Sequence, residues 1–188
     1  MEKIAGYKRV NSMSTAIQRV VILGAESTGK STLAAALAAH YQTVWVPEYL
    51  REFVESRQRT PWAEEQLPIA ITQRLRETKE AARAHGFLFC DTSPLMTAVY
   101  SEYYFGLADV KLNALAEQHD YVATIVAAPT TPWMPDGLQR ESDAVRQQIH
   151  ARLLRKLDDG GIAYLLVDGS TQQRISQVEN YLAQHRDH

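Results

Sequence analysis

Unbroken apolar runs recur along the chain, separated by longer stretches with helical spacing. The runs are Val20 to Leu23, Phe87 to Cys90, Tyr121 to Ala127 and Ile162 to Val167, with a short β-prone run, Thr43 to Val46, ended by Pro47. A strand with one solvated face alternates apolar and polar residues; these do not, so they read as parallel strands buried on both faces. Between them, Thr32 to His40 is alanine-rich with Leu33 and Leu37 one turn apart, a helix with one face for the sheet. Tyr49 to Ser56 has helical spacing, and Glu64 to His85 sets Leu67, Ile71 and Leu75 on a charged background, as in a long, partly exposed helix. Pro94 to Tyr104, Val110 to His119, Ser142 to Leu157 and Thr171 to His185 complete the helices. Strands alternating with helices in this way predict an α/β fold, a doubly wound five-stranded parallel sheet with helices on both faces. Residues 1–16 are polar and aperiodic, an expected mobile extension, which leaves 17–188 as a single domain without repeats or low-complexity linkers.

The first strand runs straight into Gly24, Ala25, Glu26, Ser27, Thr28, Gly29, Lys30, Ser31 and Thr32, and then into the first helix. Gly24, Gly29, Lys30 and Ser31 fill the GxxxxGK[ST] phosphate-loop pattern, in the strand-loop-helix context it requires. A loop that wraps a phosphate aims successive N–H groups inward, and glycine suits its tightest points. The helix beginning near Lys30 adds unpaired amides and the positive end of its dipole. These residues are therefore expected to bind ATP, with Lys30 on the β and γ phosphates and the Ser31 hydroxyl on Mg²⁺.

Size and charge narrow the class. A chain of 188 residues with net charge -2 lacks the basic excess of a general nucleic-acid or membrane-surface binder. The single cysteine, Cys90, excludes an internal disulfide and fits a reducing cytoplasm. No apolar run approaches the roughly 20 residues of a membrane-spanning helix. The six histidines show no metal-ligand spacing. The expected partner is a small molecule.

In doubly wound sheets ligands gather at the carboxyl ends of the strands, and that rule selects the remaining candidates. Asp91 ends an apolar strand, where it either holds the water shell of the metal or caps the helix after Pro94. Glu48 follows the second strand; it either takes a proton from an acceptor hydroxyl or satisfies a helix N-terminus. Arg51, one turn on, steadies the transferred phosphoryl group or pairs with Glu48 or Glu55. Glu26 must point out of the phosphate cradle, toward an arginine or the acceptor. Arg140 and Arg146 are either a mobile lid supplying an arginine finger or surface residues. Trp133, in the loop TPWMPDG, either stacks on a flat ring of the acceptor or fills the core.

Taken together, GAESTGKSTL, PEYLRE, FCDTS and TPWMPDGLQR resemble the ribosylnicotinamide kinase domain of the NadR family, a P-loop nucleoside kinase of AAA-type ATPase character. The resemblance covers Arg19 to about Leu182. It implies Mg²⁺-dependent transfer of phosphate from ATP to the ribose 5′-hydroxyl of nicotinamide riboside. It further implies that Gly24 to Thr32 bind ATP, that Asp91 serves the metal or the ribose, and that Glu48 and Arg51 face the acceptor. Tyr49, Trp133 and Asp136, at the same carboxyl edge of the sheet, are further candidates for binding the substrate. Two departures stand out. Full-length members usually carry a nucleotidyltransferase domain ahead of the kinase, for which this chain has no room, so a second activity is not expected. An acid often lies two residues after the equivalent of Asp91, where this chain has Ser93. Competing readings are a kinase for another nucleoside and a nucleotide-dependent regulatory ATPase; a GTP switch is disfavoured because no NKxD segment follows the fourth strand.

Overall fold

A computed structural model describes residues 16–133 and 142–184. The expected N-terminal extension up to residue 15, Asp136, Arg140 and the predicted end of the last helix at His185 lie outside the described residues. Strands β1 (Gln18–Leu23), β2 (Trp45–Val46), β3 (Phe87–Asp91), β4 (Ala123–Ala127) and β5 (Leu165–Val167) form one sheet in the order β2-β3-β1-β4-β5, all parallel. The helices are α1 (Lys30–His40), α2 (Tyr49–Arg57), α3 (Gln66–Ala81), α4 (Pro94–Phe105), α5 (Val110–Glu117), α6 (Asp143–Asp159) and α7 (Thr171–Gln184).

Alternate residues of each central strand face opposite layers, which is why the strands are apolar throughout. Val21, Leu23, Leu88, Cys90 and Val126 pack beneath α3, α4, α5 and α6 through Ala70, Met96, Leu112 and Ile149. Val20, Ile22, Phe87, Phe89 and Ile125 pack under α1 and α7 through Leu33, Leu37, Val178 and Leu182. Central β1 pairs with β3 on one side and β4 on the other. The connection leaving β1 covers one face, whereas that leaving β3 covers the other, so the chain departs from their paired carboxyl ends in opposite directions and leaves a crevice there.

Several boundaries differ from the sequence pattern. In place of one helix from Glu64 to His85 there is a 3-10 turn, Ala63–Glu65, followed by α3. The Leu67, Ile71 and Leu75 stripe is not its buried face: Ile71 and Leu75 are exposed, while Gln66, Ile69, Ala70, Gln73 and Glu77 are buried. Gln73 and Glu77 are satisfied inside by hydrogen bonds to the Tyr49 N–H, the Asp91 carbonyl and the Tyr121 hydroxyl, beside the apolar Ile69 and Ala70. Tyr121 precedes β4 and does not pair in the sheet; its hydroxyl donates to Glu77 Oε1 at 2.9 Å. Strand β2 is only two residues long, because Thr43 spends its side chain on its neighbours: Oγ1 donates to the Phe87 carbonyl and accepts from the His85 N–H.

Candidate active site

The loop from Gly24 to Gly29 leaves the buried end of β1 and turns on three unusual backbone positions. Gly24 has φ 150°, and a Cβ there would stand 2.9 Å from Thr28 Oγ1 and 3.0 Å from the Ala127 carbonyl. Ser27 (φ 53°) and Gly29 (φ 80°) are left-handed, which curls the main chain back on itself. The curl closes on the Ala25 carbonyl, which accepts from Thr28 Oγ1 at 2.8 Å and from Lys30 Nζ at 3.1 Å. The Lys30 ammonium thus lies across the loop and is almost wholly buried. No side chain caps the N-terminus of α1, so its first amides and its dipole face the loop.

At the end of β3, Asp91 is fully buried, and Ser31 Oγ donates to its Oδ2 at 2.5 Å. Burial pushes the Asp91 carboxyl above the ordinary carboxylate range, against the pull of the Lys30 ammonium, the Ser31 hydroxyl, Arg51 and the neighbouring Glu48 main chain. Its Oδ1 is buried with no hydrogen-bond partner. A buried carboxylate with one oxygen unspent, joined to a hydroxyl, is the hard oxygen donor set suited to Mg²⁺, which keeps most of its shell as phosphate and water. Among the described residues no cluster of three His, Cys, Asp or Glu could hold a metal by itself. The capping alternative for Asp91 is not seen: Ser93 stands at the N-cap of α4.

A cleft of about 420 Å³ opens between this floor and a second wall made by Trp45, Pro47, Glu48 and Arg51. Glu48 sits at the N-cap of α2, but its side chain makes no capping bond. Arg51, one turn along, is exposed at the rim. The wall is held to the floor by Gln73, a residue the sequence pattern did not single out. Its Oε1 accepts from the Tyr49 N–H at 2.8 Å, and its Nε2 donates to the Asp91 carbonyl at 3.3 Å. Chemically, the cleft sets an anion-binding loop, a lysine and a metal-competent carboxylate on one side, and a glutamate and an arginine on the other.

Other candidates lie elsewhere. Arg146 is not a lid residue: it is 3% exposed and donates to the Ser27 carbonyl at 3.3 Å, to the Thr131 carbonyl at 2.9 Å and to Asp143. It braces the outside of the phosphate loop, and Thr131 Oγ1 shares the Ser27 carbonyl at 2.9 Å. Tyr49 does not line the cleft, because its ring packs under the Arg76 guanidinium, 4.5 Å from the ring centre. Trp133 is half-buried and is not among the cleft's lining residues. Glu26 is half-buried, and together with Glu48 it raises the pKa of the Tyr100 phenol, whose burial is the larger cause. Arg174, on α7, is a second buried arginine at the loop and carried no signal in the sequence, where it reads as one more polar residue of an amphipathic helix.

The AAA domain family matches residues 19–174. The Trifunctional NAD biosynthesis/regulator protein NadR of Escherichia coli (strain K12) is 28% identical over 161 residues, which is 81% of this chain and 38% of that protein. The chain therefore spans well under half the length of that relative. The crystal structure of NadR protein in complex with NR superposes with a TM-score of 0.77 at 21% identity, covering 89% of this chain and 52% of that one. Deoxyadenosine kinase from M. mycoides, with products bound, superposes with a TM-score of 0.62 at 13% identity, over 89% of this chain and 100% of that one. The fold is that of the P-loop nucleoside kinases, as the strand pattern and the resemblance implied. Its phosphate loop and the five strands, save Gln18 at the start of β1, fall inside the matched span, and the chain belongs to the AAA domain family.

Proposed function

We propose that the protein is an ATP-dependent nucleoside kinase that phosphorylates the ribose 5′-hydroxyl of nicotinamide riboside. The observation that carries the reading is the Ser31–Asp91 pair at the floor of a cleft whose other wall presents Glu48 and Arg51. A glutamate on the wall opposite the phosphate loop, with open space between them, leaves room for an acceptor alcohol, as in-line phosphoryl transfer requires. The choice of nicotinamide riboside draws support from the similarity to NadR, whose name refers to NAD biosynthesis and whose structure was solved with NR.

In this reading the amides of Gly24 to Thr32 and Lys30 hold the triphosphate and neutralise charge that builds on the β and γ phosphates. Ser31 and Asp91 would hold Mg²⁺, which would screen the phosphate oxygens. Glu48 accepts the proton of the ribose hydroxyl as its oxygen forms the new bond to the γ phosphorus, and the bond to the bridging oxygen breaks to release ADP. Arg51, at the rim, steadies the transferred group.

The test is ADP release from Mg·ATP in the presence of a panel of ribosides. Turnover is expected with nicotinamide riboside and none with its 5′-deoxy analogue. ADP release that is the same with and without every riboside would overturn the kinase reading in favour of a regulatory ATPase.

A further inference from the structure

We propose that Arg174 is a positioning residue of the nucleotide site, which presets the phosphate loop for a polyphosphate and supplies buried positive charge behind it. The proposal rests on the reading of the loop as a nucleotide site. It does not depend on which acceptor is used.

Arg174 is 3% exposed. Its Nη1 donates to the Thr28 carbonyl at 2.6 Å, and its Nε donates to the Gly169 carbonyl in the β5–α7 loop at 3.0 Å. In a trans peptide the carbonyl and the following N–H point in opposite directions. Pinning the Thr28 carbonyl from outside therefore turns the Gly29 N–H to the opposite side, the concave side of the loop. Gly29 accommodates this at φ 80°, where a Cβ would come within 3.4 Å of Arg174 Nη1. The preceding peptide is held in the same sense, since Thr131 and Arg146 grip the Ser27 carbonyl and so turn the Thr28 N–H. Two consecutive amides are thus oriented by side chains reaching in from the β4 and β5 sides of the sheet.

The charge is the second observation. Arg146 has a carboxylate partner, Asp143; Arg174 has no ion pair among the described residues. The adjacent Asp168 is occupied by the Thr130 hydroxyl and the Gly169 N–H. Arg174 Nη2 is buried with no hydrogen-bond partner. Burial lowers the Arg174 pKa, with only Asp168 acting against it. A buried cation whose nearest carboxylate is not in ion-pair contact with it is costly to keep in a core. An anion wrapped by the loop, one peptide away, offsets that cost.

The test uses the full chain with Arg174→Gln and Arg174→Lys, titrated calorimetrically with Mg·ATP and, separately, with magnesium tripolyphosphate, well below each variant's melting temperature. For Arg174→Gln both ligands are expected to bind roughly tenfold or more weakly, by the same factor, because the preset amides and the buried charge act on the phosphates that both ligands share. Arg174→Lys keeps the charge without the fork and is expected to recover part of the loss for both ligands. Wild-type affinities in Arg174→Gln with only a lowered melting temperature would reduce the residue to a structural role and overturn the proposal. So would a loss confined to ATP, which would place the guanidinium at the base. If Arg174→Gln does not fold, Arg174→Lys decides: weakening of both ligands supports the proposal, and unchanged affinity overturns it. A riboside panel with no turnover leaves these titrations interpretable, so the two readings fail separately.

Discussion

Glu48 and Asp91 are both carboxylates at strand ends, yet their surroundings give them different work. Asp91 is sealed in the floor and committed to Ser31. Glu48 stands half-buried at the start of α2, at the edge of the cleft, where a proton taken up can be passed to solvent. Replacing Glu48 by Gln removes the base but keeps shape and hydrogen bonding, so kcat is expected to fall roughly 10²–10⁴-fold while the dissociation constant for Mg·ATP stays within about twofold. Steady-state rates with calorimetric ATP binding check this; an unchanged kcat would assign the proton to another group. At this scale the sequence was legible where chemistry forces residue identity, as in Lys30 and Ser31. It was silent on Gln73 and Arg174, and it offered Arg146 only as a lid or surface residue; the work of all three is to hold backbone carbonyls and amides that are brought close only by the folded chain.

At the scale of elements, the phosphate loop is the part with least tolerance. A methyl group on Gly24 meets both Thr28 Oγ1 and the Ala127 carbonyl, at a backbone angle that side chains avoid. Gly86 also has positive φ, but nothing lies within 4 Å of the place a Cβ would take. Gly86→Ala is therefore expected to cost about 1 kcal/mol from backbone strain alone, and Gly24→Ala about 2–4 kcal/mol, with ATP affinity lost only in the second. Urea midpoints measure both, and equal losses would mean that the loop is not close-packed at Gly24. Strands β1, β3 and β4 were readable because both their faces are buried, leaving unbroken apolar runs. In helix α3 the leucine and isoleucine stripe follows the helical period, but the tertiary structure buries Gln73 and Glu77 and turns Ile71 and Leu75 to solvent. Periodicity reports where apolar side chains lie. It does not report which polar ones find partners inside.

For the molecule as a whole, two buried titrations at the end of the sheet remote from the loop oppose each other. Burial pushes the Glu77 carboxyl up to about 7, although Arg74 and the Tyr121 hydroxyl favour its charged form. Burial pushes the His119 imidazole down to about 4, while its Nε2 meets Thr124 Oγ1 at 2.7 Å. The folded state holds the Glu77 proton after the unfolded chain has released it at 4.5, so this group makes stability fall as pH rises toward 7. The unfolded chain binds a proton at His119 below 6.5 that the folded state refuses, so this group makes stability rise with pH from 4 to 6.5. In their shared window the two slopes cancel. Glu77→Gln is expected to leave stability rising between pH 4.5 and 6.5, and His119→Gln to leave it falling there, by at most about 1.4 kcal/mol per pH unit for the Glu77 contribution. Chemical denaturation at several pH values reads the slopes; the same slope in both variants would contradict the assignment. Since this network lies away from the cleft, neither change should alter ATP affinity. The chemistry itself is tested most directly by phosphorus NMR of the protein with Mg·ATP and nicotinamide riboside. The expected result is loss of the γ-phosphate signal matched by growth of a 5′-phosphomonoester on the riboside. Conversion of ATP to ADP and inorganic phosphate with the riboside unchanged would contradict the proposal that the cleft is built to pass the phosphoryl group to a nucleoside.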